Sequence, residues 1–143
     1  MQFKKTTALT IAAFVGLATL SACGGGEQST ADACTVAQST VASAESEITE
    51  AMSGVTSGEY AKVSEGFKTL SSSLSEAAGK VSNAEVKAAL TDFQSGVEGF
   101  AGLFDGVEDG DMTALASKVT DLEQITTQIS ESATKLGELC PVS

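Results

Sequence analysis

Side chains able to do chemistry are few in this 143-residue chain, and their types narrow the options. There are three cysteines, Cys23, Cys34 and Cys140, and no histidine. A thiol without an imidazole or another activating group stays largely protonated at neutral pH, which disfavours a catalytic cysteine. A serine nucleophile without histidine needs a lysine base, no Ser-x-x-Lys sits near an obvious pocket motif, and Ser64-Glu65-Gly66-Phe67-Lys68 has the wrong spacing for such a pair. A di-metal carboxylate centre in a helical core needs inward Glu-x-x-His pairs, which this composition cannot supply. The acidic stretch from Asp105 to Asp111 invites a calcium reading. Aligned on a helix-flanked calcium loop, Asp105, Asp109 and Gly110 take the first, fifth and sixth positions, but Val107 fails the third. Ala116 stands where a bidentate glutamate is required, which leaves a solvated turn with aspartate at a helix N-terminus as the simpler reading. No glycine loop follows a strand-like run, so a phosphate cradle is not expected either. These residues predict a protein that is not an enzyme and that needs no metal or other cofactor.

Cys23 has a different context. Lys4 and Lys5 precede an uncharged, mostly apolar run from Thr6 to Leu20, shorter than the roughly 20 residues of a membrane-spanning helix. That run ends in Leu20-Ser21-Ala22-Cys23. The arrangement resembles the signal peptide and lipobox of bacterial lipoproteins. The resemblance implies cleavage before Cys23 and a diacylglycerol on its sulfur, with a further acyl chain (palmitate or similar) on the new amino group. Two or more chains hold a protein stably on a bilayer, each buried methylene contributing about 0.8 kcal/mol. The expected location is therefore the extracytoplasmic face of the cell membrane, with the membrane itself as a partner through the lipid.

Residues 1–22 would then be a signal peptide, residues 23–32 a lipidated flexible tether and residues 33–143 the folded domain. The mature chain has 121 residues, enough for one domain. It keeps six lysines against 19 acidic residues, a net charge of −13, and has no arginine. Such a surface repels nucleic acid and anionic head groups, so neither is an expected partner. Cys34 and Cys140 are the two cysteines left after lipidation, and an oxidising compartment favours pairing an even set. Two free thiols are the alternative. The glycine-rich, small and polar run Gly24 to Asp32 would reach roughly 15–18 Å as a flexible chain.

From Ala33 onward the apolar residues repeat at a period of about 3.5 in four segments, which is helical. The first runs Cys34, Ala37, Val41, Ala44, Ile48, Ala51 and Val55. The second runs from Tyr60 to Val81 and the third from Val86 to Val107. The fourth runs Met112, Leu115, Val119, Leu122, Thr126, Ile129, Ala133, Leu136 and Cys140. Thr56-Ser57-Gly58-Glu59 and Ser82-Asn83-Ala84-Glu85 fit capping boxes, and Gly54, Gly79 and Gly106 lie near the expected helix ends. Short loops force neighbours to be antiparallel. The expected fold is all-α, an antiparallel up-down-up-down four-helix bundle. That topology brings the first and last helix ends together, so Cys34 and Cys140 can meet.

The third segment is the least ordinary. Gly96, Gly99, Gly102 and Gly106 stand among Phe93, Phe100 and Phe104, although each interior glycine costs a helix about 1 kcal/mol against alanine. One reading is close helix packing. The other is a soft, aromatic-lined face formed by Phe93, Gly96, Gly99, Phe100 and Phe104 that receives a ligand or a partner's helix. The expected role is a tethered, non-enzymatic interaction or accessory module with a protein partner. The alternative is a carrier or sensor for a small apolar ligand or lipid, held around the third helix.

Overall fold

The computed structural model describes residues 26–141. The leader, the lipobox with Cys23 and the first tether residues lie outside the described residues. Six helices follow one another: α1 (Thr30–Ser43), α2 (Glu45–Ser57), α3 (Tyr60–Lys80), α4 (Ala84–Leu103), α5 (Met112–Ala116) and α6 (Val119–Leu139). The four-helix expectation is thus corrected. The first and fourth segments each break in two, and the helices do not close into a simple bundle.

The first break is at Ala44, whose dihedrals of φ −91° and ψ 0° leave the helical well. Hydroxyls prepare it: Ser39 and Thr40 both donate to the Val36 carbonyl, and Ser43 donates to that of Ser39. Such back-bonding competes with the helical ladder and bends helices. The Ala44 amide then bonds both Thr40 and Val41 carbonyls, the tightened geometry of a helix end. The second break lies at Ser117 and Lys118. Ser117 donates to the Ala114 carbonyl at 2.6 Å, while the Lys118 ammonium reaches the Leu103 carbonyl at 2.7 Å, near the end of α4.

Helix ends are satisfied in ways the capping-box patterns do not foretell. Thr56 is inside α2, and that helix ends on Gly58 at φ +76°, a left-handed residue. The start of α3 takes its acceptor from a distant loop, since Asp109 Oδ1 receives the Ala61 amide at 3.2 Å. Asn83, not Ser82, caps α4 by accepting from the Val86 amide. Gly54 and Gly79 are helix-interior residues, and only Gly106 of the three glycines named as helix ends has a positive φ.

Order begins earlier than residue 33. Ser29 caps α1 by accepting the Asp32 amide, and Glu27 and Gln28 are already bound to the α3–α4 turn. The Gln28 amide donates to the Ser82 hydroxyl at 2.9 Å, the Gln28 side chain accepts from the Ser82 amide, and Glu27 accepts from the Ala84 amide at 2.8 Å. Residues 27–32 therefore belong to the folded unit, in place of the flexible tether expected there.

The main seams join α3 to α4, α4 to α6 and α2 to α3, with α1 lying on α3 and α4. Tyr60, Val63, Leu70, Leu74, Val81, Val86, Leu90 and Val97 make the buried centre. α6 packs along α4, and no comparable seam joins it to α1. Its inward stripe is Leu122, Ile125, Ile129, Ser132, Leu136 and Leu139, while Thr126 and Ala133 are exposed. The stripe is therefore displaced from the Thr126, Ala133 and Cys140 series that the heptad count favours. α1 and α6 meet where Cys34 and Cys140 form a disulfide, with Cα atoms 5.3 Å apart.

That bond closes a separation of 106 residues, worth about 4–5 kcal/mol in the chain-entropy model. Replacing both cysteines by serine is expected to lower the melting temperature by on the order of 15 °C. Thermal unfolding followed by circular dichroism checks this, and an unchanged midpoint contradicts it.

Candidate functional site

The face expected to bind is divided by the structure among three environments. Phe100 and Phe104 join an aromatic cluster with Phe67 and Tyr60. Phe67 meets Phe100 edge-on at 4.7 Å, Phe100 lies 5.3 Å from Phe104, and Phe104 lies 5.7 Å from Tyr60. Phe104 is buried, and the cluster fills one end of the α3–α4 seam rather than facing solvent.

Gly96 and Gly99 face α6. A Cβ placed on Gly96 would stand 2.7 Å from Ile129 Cγ1, closer than side chains pack, whereas one on Gly99 would meet Ile125 at an ordinary 3.5 Å. The absence of a side chain at Gly96 is what lets α6 lie against α4. The packing account of the glycines therefore holds at Gly96.

Phe93 is placed apart from the other two phenylalanines, at the base of an apolar groove of about 440 Å³ between α1 and α6. Ala37, Gln38, Val41 and Ala42 form the α1 wall, and Ala133, Leu136, Gly137 and Cys140 form the other. No lining residue carries a charge, in a chain of net charge −11. Val41, expected in the core, is 37% exposed, and Ala42, Ala133 and Gly137 are exposed as well. The walls are largely the two apolar stripes that a closed bundle would have buried against each other. The groove exists because α6 turns its main stripe towards α4, leaving Ala133 and Cys140 towards α1.

A second concavity, of about 540 Å³, lies between α3 and the loop after α4. Three of its polar side chains satisfy one another. Asp105 Oδ1 accepts from the Ser64 hydroxyl at 2.7 Å and from the Lys68 ammonium. Lys68 and Ser64 hold the Asp105 carboxyl below its ordinary value. A carboxylate already neutralised by an ammonium is a poor base, so this trio anchors the loop and does not activate Ser64. The attachment persists above the ordinary carboxylate range and weakens as the pH falls through the lowered value.

The remaining aspartates of the acidic stretch are likewise committed to separate protein partners. Asp109 binds the start of α3, and Asp111 caps α5 by accepting from the Thr113 and Ala114 amides. Among the described residues no group of three or more His, Cys, Asp or Glu side chains is placed to hold a metal, and no helix is long and apolar enough to cross a membrane. Gln38 and Cys140 share the groove. Their meeting, with Gln38 Nε2 donating to the Cys140 carbonyl at 3.4 Å, follows from the tertiary course of α6 and has no local sequence signal.

Compared with known protein families, curated proteins and solved structures, the chain finds no match in any of the three.

The two glycines separate packing from propensity. Gly96→Ala is expected to destabilise the fold by about 1–3 kcal/mol by pushing Ile129 off α4. Gly99→Ala is expected to stabilise it by about 0.5–1 kcal/mol, because its added methyl fits and its helix propensity improves. Urea denaturation of both variants checks the opposite signs.

Proposed function

We propose that this protein is a lipid-anchored interaction module of the cell envelope, held through Cys23 on the extracytoplasmic face of a membrane, and that its binding element is the α1–α6 groove. The observation that carries the binding role is the groove itself: an open, charge-free apolar channel on an otherwise strongly acidic chain. Exposed apolar surface has a solvation cost, and a concave, contiguous patch of it commonly marks a binding site.

The aromatic cluster favours this reading over a carrier with a ligand inside the helices. Phe67, Phe100, Phe104 and Tyr60 stack on one another, so the room expected around the third helix is occupied by its own side chains. What apolar surface remains available lies outside the packed seams.

The anchor reading rests on the Lys4-Lys5 start, the apolar run and Leu20-Ser21-Ala22-Cys23. The ordered Glu27 and Gln28 add a mechanical consequence. If Cys23 is lipidated, only Gly24 to Gly26 separate the lipid from the first bonded residues, a span of roughly 10 Å fully extended. The domain then sits close against its membrane with the α3–α4 turn beside the anchor. Its high negative charge opposes adhesion to anionic head groups.

Two measurements test the halves of this proposal. Mass spectrometry of the mature N-terminus is expected to show an acylated Cys23, and Cys23→Ser is expected to abolish acylation; an unmodified Cys23 overturns the anchor. A neutral solvatochromic dye such as Nile red is expected to bind the native chain saturably, with about tenfold weaker binding in Gly137→Leu, which fills the exposed groove wall. Equal dye binding by both proteins overturns the groove as the binding element.

A further inference from the structure

We infer that the occupant of the α1–α6 groove is a basic amphipathic helix of a protein partner, laid between the two helices as the missing neighbour of both. The inference rests on the groove being the binding element and adds what binds there.

Shape is the first argument. The walls are two helices, and the lining runs from Ala133 to Cys140 on one side and from Ala37 to Ala42 on the other. That is about two helical turns, or roughly 10 Å, which suits anchors at i, i+3 or i+4 and i+7 of a guest helix. Its small wall residues, Ala37, Ala42, Ala133 and Gly137, allow a backbone to approach closely. The floor offers Phe93 as a broad apolar contact. These surfaces are the parts of the first and fourth apolar stripes that do not meet, so a guest helix supplies the contact that the chain itself leaves open.

Charge is the second argument, and it selects the kind of helix. α1 and α6 carry Asp32, Asp121, Glu123, Glu131 and Glu138 against a single lysine, Lys135, and none of these lines the groove. Lys135 lies 4.0 Å from Asp92, its own counter-charge on α4. At the Ala42 end the groove adjoins a concavity that also contains Glu45 and Glu50. A guest with apolar residues on one face and lysine or arginine where it passes Glu45 and Glu50 therefore matches both surfaces. An acidic helix meets repulsion at the Ala42 end.

A free acyl chain fits less well. In an open groove one side of it stays wet, and a lipid leaving the bilayer forfeits about 0.8 kcal/mol for each methylene it exposes. A second copy of this chain, itself of net charge −11, would bring like charge towards Glu45 and Glu50.

The test uses the mature lipidated chain, disulfide intact, in phosphatidylcholine nanodiscs, read by amide hydrogen exchange. The probe is a synthetic helical peptide with leucines at i, i+3, i+4 and i+7 and lysines on the remaining face; its twin has glutamate in place of lysine. The lysine peptide is expected to slow exchange in the groove-lining turns of α1 and α6, with an affinity that falls as salt is raised. Glu45→Gln with Glu50→Gln is expected to weaken it roughly two- to tenfold, and Gly137→Leu to weaken it at least tenfold. Equal protection by the glutamate twin overturns the proposal, as does protection confined to other helices. Protection of the same turns by added lipid alone, or by raising protein concentration without peptide, also overturns it in favour of an acyl chain or a second copy. If the peptide fails while Nile red still binds the groove, the helix is the wrong occupant and the groove remains the binding element. Failure of both removes both readings.

Discussion

A chain that returns its last helix to its first has two ways to hold them together, by packing along their length or by a bond at one point. Here α1 and α6 are joined at Cys34–Cys140, and the seam that would continue from that joint is not made. The covalent bond makes this tolerable. Without it, α6 would depend on its contact with α4, to which it contributes mostly half-buried residues and one buried serine, Ser132. The bond fixes one end of α6 against α1, and from there α6 lies along α4. The space between is the groove, with Cys140 in its wall and Phe93 at its base.

Small residues set how that geometry is reached. At Gly96 the α4 backbone comes so close to Ile129 that no side chain fits between them, and Gly66 is similarly tight against Ala51 where α2 crosses α3. Close approach recovers dispersion contacts that short side chains would otherwise forfeit. It also draws α6 towards α4 and away from α1. The same alanine and glycine content that permits tight seams leaves walls of low relief where no seam forms. Packing in one place and openness in another thus share a cause. The acidic surface then matters twice, by keeping an exposed apolar channel soluble and by limiting which partners can approach it.

Much of this was legible in the sequence. Apolar periodicity located the helical regions from Tyr60 to Val81 and from Val86 onward, and the even cysteine pair pointed to the disulfide that forms. The breaks were not legible from periodicity, because Ala44 and Val119 sit on the heptad and satisfy it. Their cause is local hydrogen bonding: the hydroxyl-rich stretch Ser39, Thr40 and Ser43 carried that signal, as did Ser117 with Lys118. On α6 the apolar pattern admits two stripes, one through Thr126 and Ala133 and one through Ile125 and Ser132. Contact with Gly96 and Gly99 on α4 selects the second, a tertiary decision that no window of sequence contains. The candidate face failed to hold together for the same reason. Phe93, Phe100 and Phe104 share one helix, but their neighbours differ: α1 and α6 around Phe93, α3 around the other two. The role of Cys23 stays with its sequence context, since it lies outside the described residues.

The central claim is that the disulfide, and not an α1–α6 packing seam, ties α6 to the α1 side of the fold. Amide hydrogen exchange of the full chain, oxidised and then reduced under conditions where it remains folded, tests this most directly. Reduction is predicted to accelerate exchange many-fold in the C-terminal turns of α6 and the first turns of α1, while the centres of α3 and α4 keep their protection. Unchanged exchange in α6 on reduction would contradict the account, because it would mean that packing alone holds the helix in place.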